Sequence, residues 1–217
     1  MSAEVLEKLK AGVRKFQTEV YPGHEETYIK AASTPQKPSA LIVACADSRI
    51  DVETITQSGP GELFVTRNIG NLVPAYGEML GGVSAVIEYA VSALGVQHIV
   101  ICGHSDCGAM KGLLNPDAVA AMPTVENWLK NAHTALSVAN ALATKDERPS
   151  ELTRRVTEQN VVLQLQHLRT HPSVAGAMAK GKLTISGWVY DIGSGGVRIC
   201  EDGGSVFVPV EVSGAKA

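Results

Sequence analysis

Two short apolar runs constrain this chain more than any other feature. Ala40-Leu41-Ile42-Val43-Ala44 and His98-Ile99-Val100-Ile101-Cys102 show no alternation of apolar and polar residues. That is the pattern of strands covered on both faces in a parallel sheet. Glu62-Leu63-Phe64-Val65-Thr66 predicts another strand, introduced by the turn Gly59-Pro60-Gly61. From Gly82 to Leu94, residues Val83, Val86, Ile87, Ala90, Val91 and Leu94 keep the three-to-four spacing of a helix, and Gly95 stands where a C-terminal cap belongs. Strand, helix and strand at this spacing predict a right-handed βαβ crossover. Leu183 to Asp191 predicts a fourth strand, which Gly193-Ser194-Gly195-Gly196 turns into an antiparallel partner ending near Cys200.

Around these strands the chain reads as helical. Residues 3–20 and 24–32 predict two helices broken by Pro22-Gly23, and 124–180 predicts more, interrupted near Arg148-Pro149 and His171-Pro172. The expectation is an α/β fold. A central, mostly parallel sheet of about four strands carries an antiparallel edge strand, is flanked by helices and is preceded by a helical arm. With 217 residues and no linker, repeat or low-complexity tract, one domain is expected, residues 1–33 forming the arm and 34–217 the core. A net charge of -3 provides no basic patch, so neither nucleic acid nor an anionic membrane is an expected partner. No run of 18 apolar residues is present, and the N-terminus is amphipathic without the apolar centre of a secretory signal, so a cytoplasmic location is expected.

Chemistry concentrates where two strands end. The first runs into Cys45-Ala46-Asp47-Ser48-Arg49, the third into Gly103-His104-Ser105-Asp106-Cys107-Gly108. Ligands of parallel sheets collect beyond the carboxyl ends of strands, so Cys45 and His104 are expected as neighbours. Cys107, three residues on, is expected in the first turn of the next helix, where the helix dipole favours a thiolate. Two thiolates and an imidazole suit zinc, and three protein ligands leave a fourth position for water, as catalytic sites do. Cys102, Cys200 and His98 read as packing residues. Asp47 stands close enough to accept a hydrogen bond from a metal-bound water or to ligate the metal itself, and Arg49 is placed to clamp it by a bidentate pair.

Cys-x-Asp-x-Arg followed by His-x-x-Cys-Gly, each closing an apolar strand, resembles the β-class carbonic anhydrases. The likeness extends to Gly61-Glu62-Leu63-Phe64-Val65-Thr66-Arg67-Asn68-Ile69-Gly70-Asn71-Leu72-Val73 and to Gly82 through Ala90, and so covers residues 36 to 112. It implies one Zn2+ per chain on Cys45, His104 and Cys107. It also implies that Asp47, held by Arg49, orients a zinc-bound hydroxide for attack on carbon dioxide, giving bicarbonate and a proton. Gln36 matches the glutamine that meets substrate or product in plant-type members. Phe64 and Tyr89 match the aromatic wall, and Gly108 joins the substrate-facing set. A second subtype has a non-catalytic bicarbonate pocket marked by Trp three residues before the first cysteine; here that residue is Ile42, which points to the plant-type open site.

The resemblance further implies a homodimer or tetramer with the pocket at the subunit boundary, and the amphipathic arm suits wrapping around a partner. Three other readings compete. A related zinc hydrolase would act on carbon disulfide or carbonyl sulfide. A non-catalytic zinc or bicarbonate sensor would have no use for Asp47, Arg49 and Gln36. A redox protein using Cys45 and Cys107 ranks last, because the chain has no Cys-x-x-Cys pair.

Overall fold

The computed structural model describes residues 2–78, 81–201 and 203–211. They form two compact units, Met1–Gln36 and Lys37–Ala217. The unit boundary lies three residues beyond the expected end of the arm at residue 33.

The first unit contains α1 (Ser2–Lys15), a wide turn over Phe16–Val20, a 3-10 turn at Tyr21–Gly23 and α2 (Glu25–Ser33). Pro22 occupies the 3-10 turn and ends the first helix, as its missing N–H dictates. Phe16, Tyr21 and Tyr28 pack together there, with Tyr21 and Tyr28 stacked at 5.4 Å between centroids. Val5, Leu6, Leu9 and Val13 form an apolar stripe along α1, and each is more than half exposed.

In the second unit, β1 (Ala40–Cys45) leads to α3 (Val52–Thr56) and β2 (Leu63–Asn68). α4 (Gly82–Tyr89) continues through a wide turn at Ala90–Leu94 to β3 (His98–His104), and Gly95 caps it in the left-handed region at φ 67°. Then come α5 (Gly108–Leu114), α6 (Pro123–Leu129), α7 (His133–Ala141), α8 (Pro149–Thr170) and α9 (Pro172–Ala179). β4 (Thr184–Tyr190), β5 (Val197–Glu201) and the two-residue β6 (Val208–Pro209) close the fold. The strands lie in the order β2-β1-β3-β4-β5-β6, the first four parallel and the last two antiparallel. The expected architecture holds, and β6 is an addition that two exposed residues could not announce.

The unbroken apolar runs are explained by two covered faces. Leu41, Val43, Ile99 and Ile101 face one cluster, into which Ile87 of α4, Val161, Leu165 and Leu168 of α8 and Val174 of α9 pack. Ile42, Ala44, Val100 and Cys102 face the other, with Ile50 and Val52. α8 reaches the sheet closely because β3 and β4 carry glycines beneath it. A Cβ on Gly187 would stand 2.5 Å from Val161 Cγ1, and one on Gly103 would stand 2.8 Å from Val161 Cγ2. The expected interruptions at Pro149 and Pro172 fall at the first residues of α8 and α9. A further one, the 3-10 turn Lys130–Ala132, divides α6 from α7. No described helix is long and apolar enough to cross a membrane.

Overpacking at this seam is the expected weak point. Gly187→Ala should destabilise the protein by about 1–3 kcal/mol. Adding Val161→Ala should cost less than the sum of the single changes, measured by denaturant unfolding.

Candidate metal centre

The chain leaves β1 toward β2 on one side and leaves β3 toward β4 on the other, so the connections diverge beyond the carboxyl ends of β1 and β3 and open a crevice there. Ala44 pairs with Cys102, which sets Cys45 and His104 one step apart on neighbouring strands. Cys107 follows on a turn in which Asp106 takes the left-handed region at φ 60°. Cys107 itself is extended at φ -66° and ψ 121° and precedes α5 as its cap residue. The expectation that it sits within the first helical turn is therefore corrected by one position. The extended backbone turns its thiol toward β1, which a helical conformation there would not do.

The ligand atoms of Cys45, His104 and Cys107 lie within 4.8 Å of one another, and all three residues are buried. Among the described residues no other trio of His, Cys, Asp or Glu converges in this way. The two sulfurs stand 4.0 Å apart, close to the roughly 3.8 Å edge of a tetrahedron with metal–sulfur bonds of about 2.3 Å. His104 Nδ1 donates to the Ser105 carbonyl at 2.9 Å, leaving Nε2 with its lone pair. That Nε2 is buried and has no hydrogen-bond partner. A buried polar atom left unpaired is costly, and a metal cation satisfies it together with the two sulfurs. The residues present thus fit the zinc that their chemistry suggests.

The thiols share their protons unequally. Cys45 is drawn strongly down, first by the hydrogen bond from the Cys107 thiol and then by the backbone N–H groups of Gly70 and Asp47, against burial. Cys107 is driven up by the same hydrogen bond, by burial and by the neighbouring thiolate. Cys102 is buried behind them and pushed up to about 12 by desolvation, so it stays a thiol. Cys200 is buried in the terminal hairpin and His98 bonds Thr184 and Ser186 across β3 and β4, the packing roles expected of them.

Asp47 Oδ2 lies 3.9 Å from His104 Nε2. Arg49 grips Asp47 with both prongs, Nε to Oδ1 at 2.9 Å and Nη2 to Oδ2 at 2.7 Å, and its backbone N–H adds 3.0 Å to Oδ1. These bonds hold the Asp47 carboxyl well below the usual carboxylate range. Three further residues, which the sequence did not single out, extend this frame. Arg49 Nη1 donates to Asp106 Oδ2 at 2.9 Å, and Lys111 pairs with the other oxygen of Asp106. Arg67 donates to the carbonyls of Cys45 at 2.9 Å and Asp47 at 2.6 Å, fixing the loop on which both stand.

Phe64 and Tyr89 meet with ring centroids 6.1 Å apart, but Phe64 is in register with Leu41, so within one chain the pair stands toward the other end of β1 from Cys45. Phe64 is partly buried and Tyr89 is 51% exposed. Gly108 is exposed with open space where a Cβ would be. Gln36 is exposed at the end of the first unit. An apolar hollow of about 290 Å³ opens beside the cluster between Ala46, Ile69, Val125 and Trp128, and Trp128 Nε1 donates to the Ile69 carbonyl. A larger groove of about 1170 Å³ touches the site only at Ser105, Asp106 and Lys111, and no ligand residue lines it.

Comparison with known proteins agrees with this geometry. The family described as carbonic anhydrase matches residues 40–197. A carbonic anhydrase of Pseudomonas aeruginosa is 46% identical over 91% of this chain and 88% of its own length. The solved structure of the β-carbonic anhydrase CcaA superposes with a TM-score of 0.90 at 34% identity, covering 97% of this chain and 94% of that one. One of the tetrameric β-carbonic anhydrases of Sordaria macrospora superposes at a TM-score of 0.67 and 32% identity, over 93% and 95% of the two chains.

The unequal thiols make a count testable. Zinc uptake at pH 7 should release about one proton per chain from the thiol pair, because one thiol is already ionised, plus the fraction of a proton lost by a zinc-bound water of pKa roughly 7. Calorimetry in buffers of different ionisation enthalpy measures this, and release of more than about two protons would show that both thiols start protonated.

Proposed function

The chain belongs to the β-carbonic anhydrase family, and from that premise we propose that Cys45, His104 and Cys107 hold one zinc ion at which carbon dioxide is hydrated reversibly to bicarbonate. The observation that carries this reading is the unpaired, buried Nε2 of His104, which converges with two thiols beside a carboxylate pinned by Arg49. Bound there, zinc would lower the pKa of a coordinated water from 15.7 to roughly 7.

The protein's own part follows from its hydrogen bonds. Asp47 stays ionised and so only accepts. Its Oδ2 takes the hydrogen of the attacking water, which turns a lone pair toward the substrate carbon. Arg49 engages both oxygens of Asp47, which keeps that carboxylate oriented and opposes its rotation onto the metal. Phe64 and Tyr89 of a second copy form the apolar wall against which carbon dioxide rests, because within one chain they stand toward the far end of β1 from the ligand trio. Gly108 leaves room beside Cys107, and Gln36 meets the oxygen on which charge develops. Ile42 stands where the second subtype carries Trp, which favours the plant-type open site.

Residues 34–217 are read as the zinc-binding core and 1–33 as an arm that wraps around a second copy of the chain, giving at least a dimer with the pocket at its boundary. The exposed apolar stripe of α1 supports this reading, as does the tetrameric assembly of the Sordaria relatives. A cytoplasmic location is proposed from the sequence.

Stopped-flow measurement of carbon dioxide hydration in mildly alkaline buffer, on metal-quantified protein, tests the mechanism. Cys45→Ser should lose both zinc and activity. Asp47→Asn should keep zinc and lose about 10²-fold or more in kcat, and Arg49→Ala should lose about 10- to 100-fold. Stoichiometric zinc without hydration would overturn the proposal and favour carbon disulfide hydrolysis or a sensing role.

A further inference from the structure

Four polar side chains share one face of α8 and its junction with α9. Asn160 and Gln164 are completely buried and His171 almost so, and with His167 they recur at the spacing of one helical stripe. A helix face buried in a domain is ordinarily apolar, and the adjoining stripe of Val161, Leu165 and Leu168 is. All four polar residues bond to the backbone of one short segment, residues 70–74, just after β2. Asn160 Nδ2 donates to the Gly70 carbonyl at 3.1 Å, and Gln164 Oε1 accepts the Val73 N–H at 2.8 Å. His167 Nδ1 donates to the Val73 carbonyl at 2.8 Å and His171 Nε2 to the Pro74 carbonyl at 3.1 Å. Gln164 Nε2 also donates to Asn160 Oδ1 at 2.9 Å and to the Asn131 carbonyl at 3.2 Å, so the two amides are locked to each other.

The other side of the same segment touches the thiols. Leu72 belongs to the apolar cluster that contains Cys45 and Cys107. Gly70 stands at φ 78°, so tight against α5 that a Cβ would lie 2.9 Å from Ala109 Cβ. Asn68 ties the segment to the sheet: it is the register partner of Cys45, and its side chain bonds both backbone groups of Leu72, at 2.8 and 3.0 Å.

We propose that Asn160 and Gln164 are positioning residues of the metal centre: they fix the turn from Gly70 to Val73, whose Leu72 side chain packs with the thiols and confines the Cys45 sulfur at its place in the ligand trio. The inference rests on Cys45 being a metal ligand, as read under Proposed function. The position of Cys45 in the trio therefore depends on the turn. Two amides do here what an apolar pair could not, because a single 3-10 turn at Ile69–Asn71 running into extended chain leaves buried N–H and C=O groups that need side-chain partners.

The test uses the full-length chain and two readouts other than turnover: zinc affinity by chelator competition, and the sulfur-to-metal charge-transfer band of the cobalt-substituted protein. Asn160→Leu keeps the shape but cannot hold the Gly70 carbonyl. It should weaken zinc about tenfold and shift the band. Gln164→Met, which releases the Val73 N–H, should move both readouts in the same direction. Leu168→Ala, on the apolar stripe of the same helix, should lower the melting temperature yet leave affinity and band unchanged. Folded amide variants with wild-type affinity and band would overturn the inference, as would an equal loss in Leu168→Ala. If Asn160→Leu does not fold, Gln164→Met decides by the same criteria. A wild-type chain that binds no zinc overturns the metal reading, and this inference with it, whereas unchanged variants overturn the inference alone.

Discussion

The hydrogen bond from His104 Nδ1 to the Ser105 carbonyl settles what the rest of the site can be. It fixes the tautomer, turns Nε2 inward, and leaves a buried nitrogen with nothing to bond. A fold does not keep such an atom without compensation, since an unpaired buried acceptor costs about 1–3 kcal/mol. Two thiols only 4.0 Å apart add a second strain of the same kind, because the second of them resists ionising beside the first. A divalent cation resolves both at once, which is why the metal is part of the structural argument as well as the chemical one.

Holding that arrangement requires anchoring from every side, and each anchor is a backbone or charge contact of identifiable origin. Arg67 secures the loop after β1 by two carbonyls. Arg49 secures Asp47 and reaches across to Asp106, on the loop after β3, so the two ligand-bearing loops are bridged by one guanidinium. A single exposed ion pair contributes little. Here one planar cation satisfies two carboxylates and a carbonyl in fixed directions, and the benefit is orientation more than stability.

Much of this was legible in the sequence because it depends on local pattern. Unbroken apolar runs announced the doubly covered strands, and polar clusters at their ends announced the crevice. The resemblance supplied roles for Phe64 and Tyr89, which the structure brings within 6.1 Å of each other. What stayed hidden depends on long separations or on backbone angles. Asn160, Gln164 and His167 read as ordinary polar positions of a helix and His171 as part of its interruption, since their partners lie 90 to 97 residues away in the chain. Arg67 looked like one more residue at a strand end. Asp106 looked like a spacer between two ligands, and only its left-handed backbone brings its carboxylate to Arg49 and Lys111. The one-residue shift at Cys107 has the same root, a local conformation that the helical pattern of α5 does not encode.

The disposition of charge also bears on the direction of traffic. Zinc held by two thiolates would be neutral, and Asp47 and Asp106 are balanced by Arg49 and Lys111. Arg67 carries the remaining positive charge but directs Nε and Nη2 at internal carbonyls. Each of these cations is therefore already committed to an acceptor of the protein. A neutral, apolar substrate loses little on entering such a place. A bicarbonate ion would find no uncommitted guanidinium or ammonium among these three residues and would meet the fixed negative charge of Asp47. An arrangement that bound the product tightly would slow its release and with it the turnover. Committing the cations to scaffold contacts thus serves the geometry of the ligands and the escape of the product together.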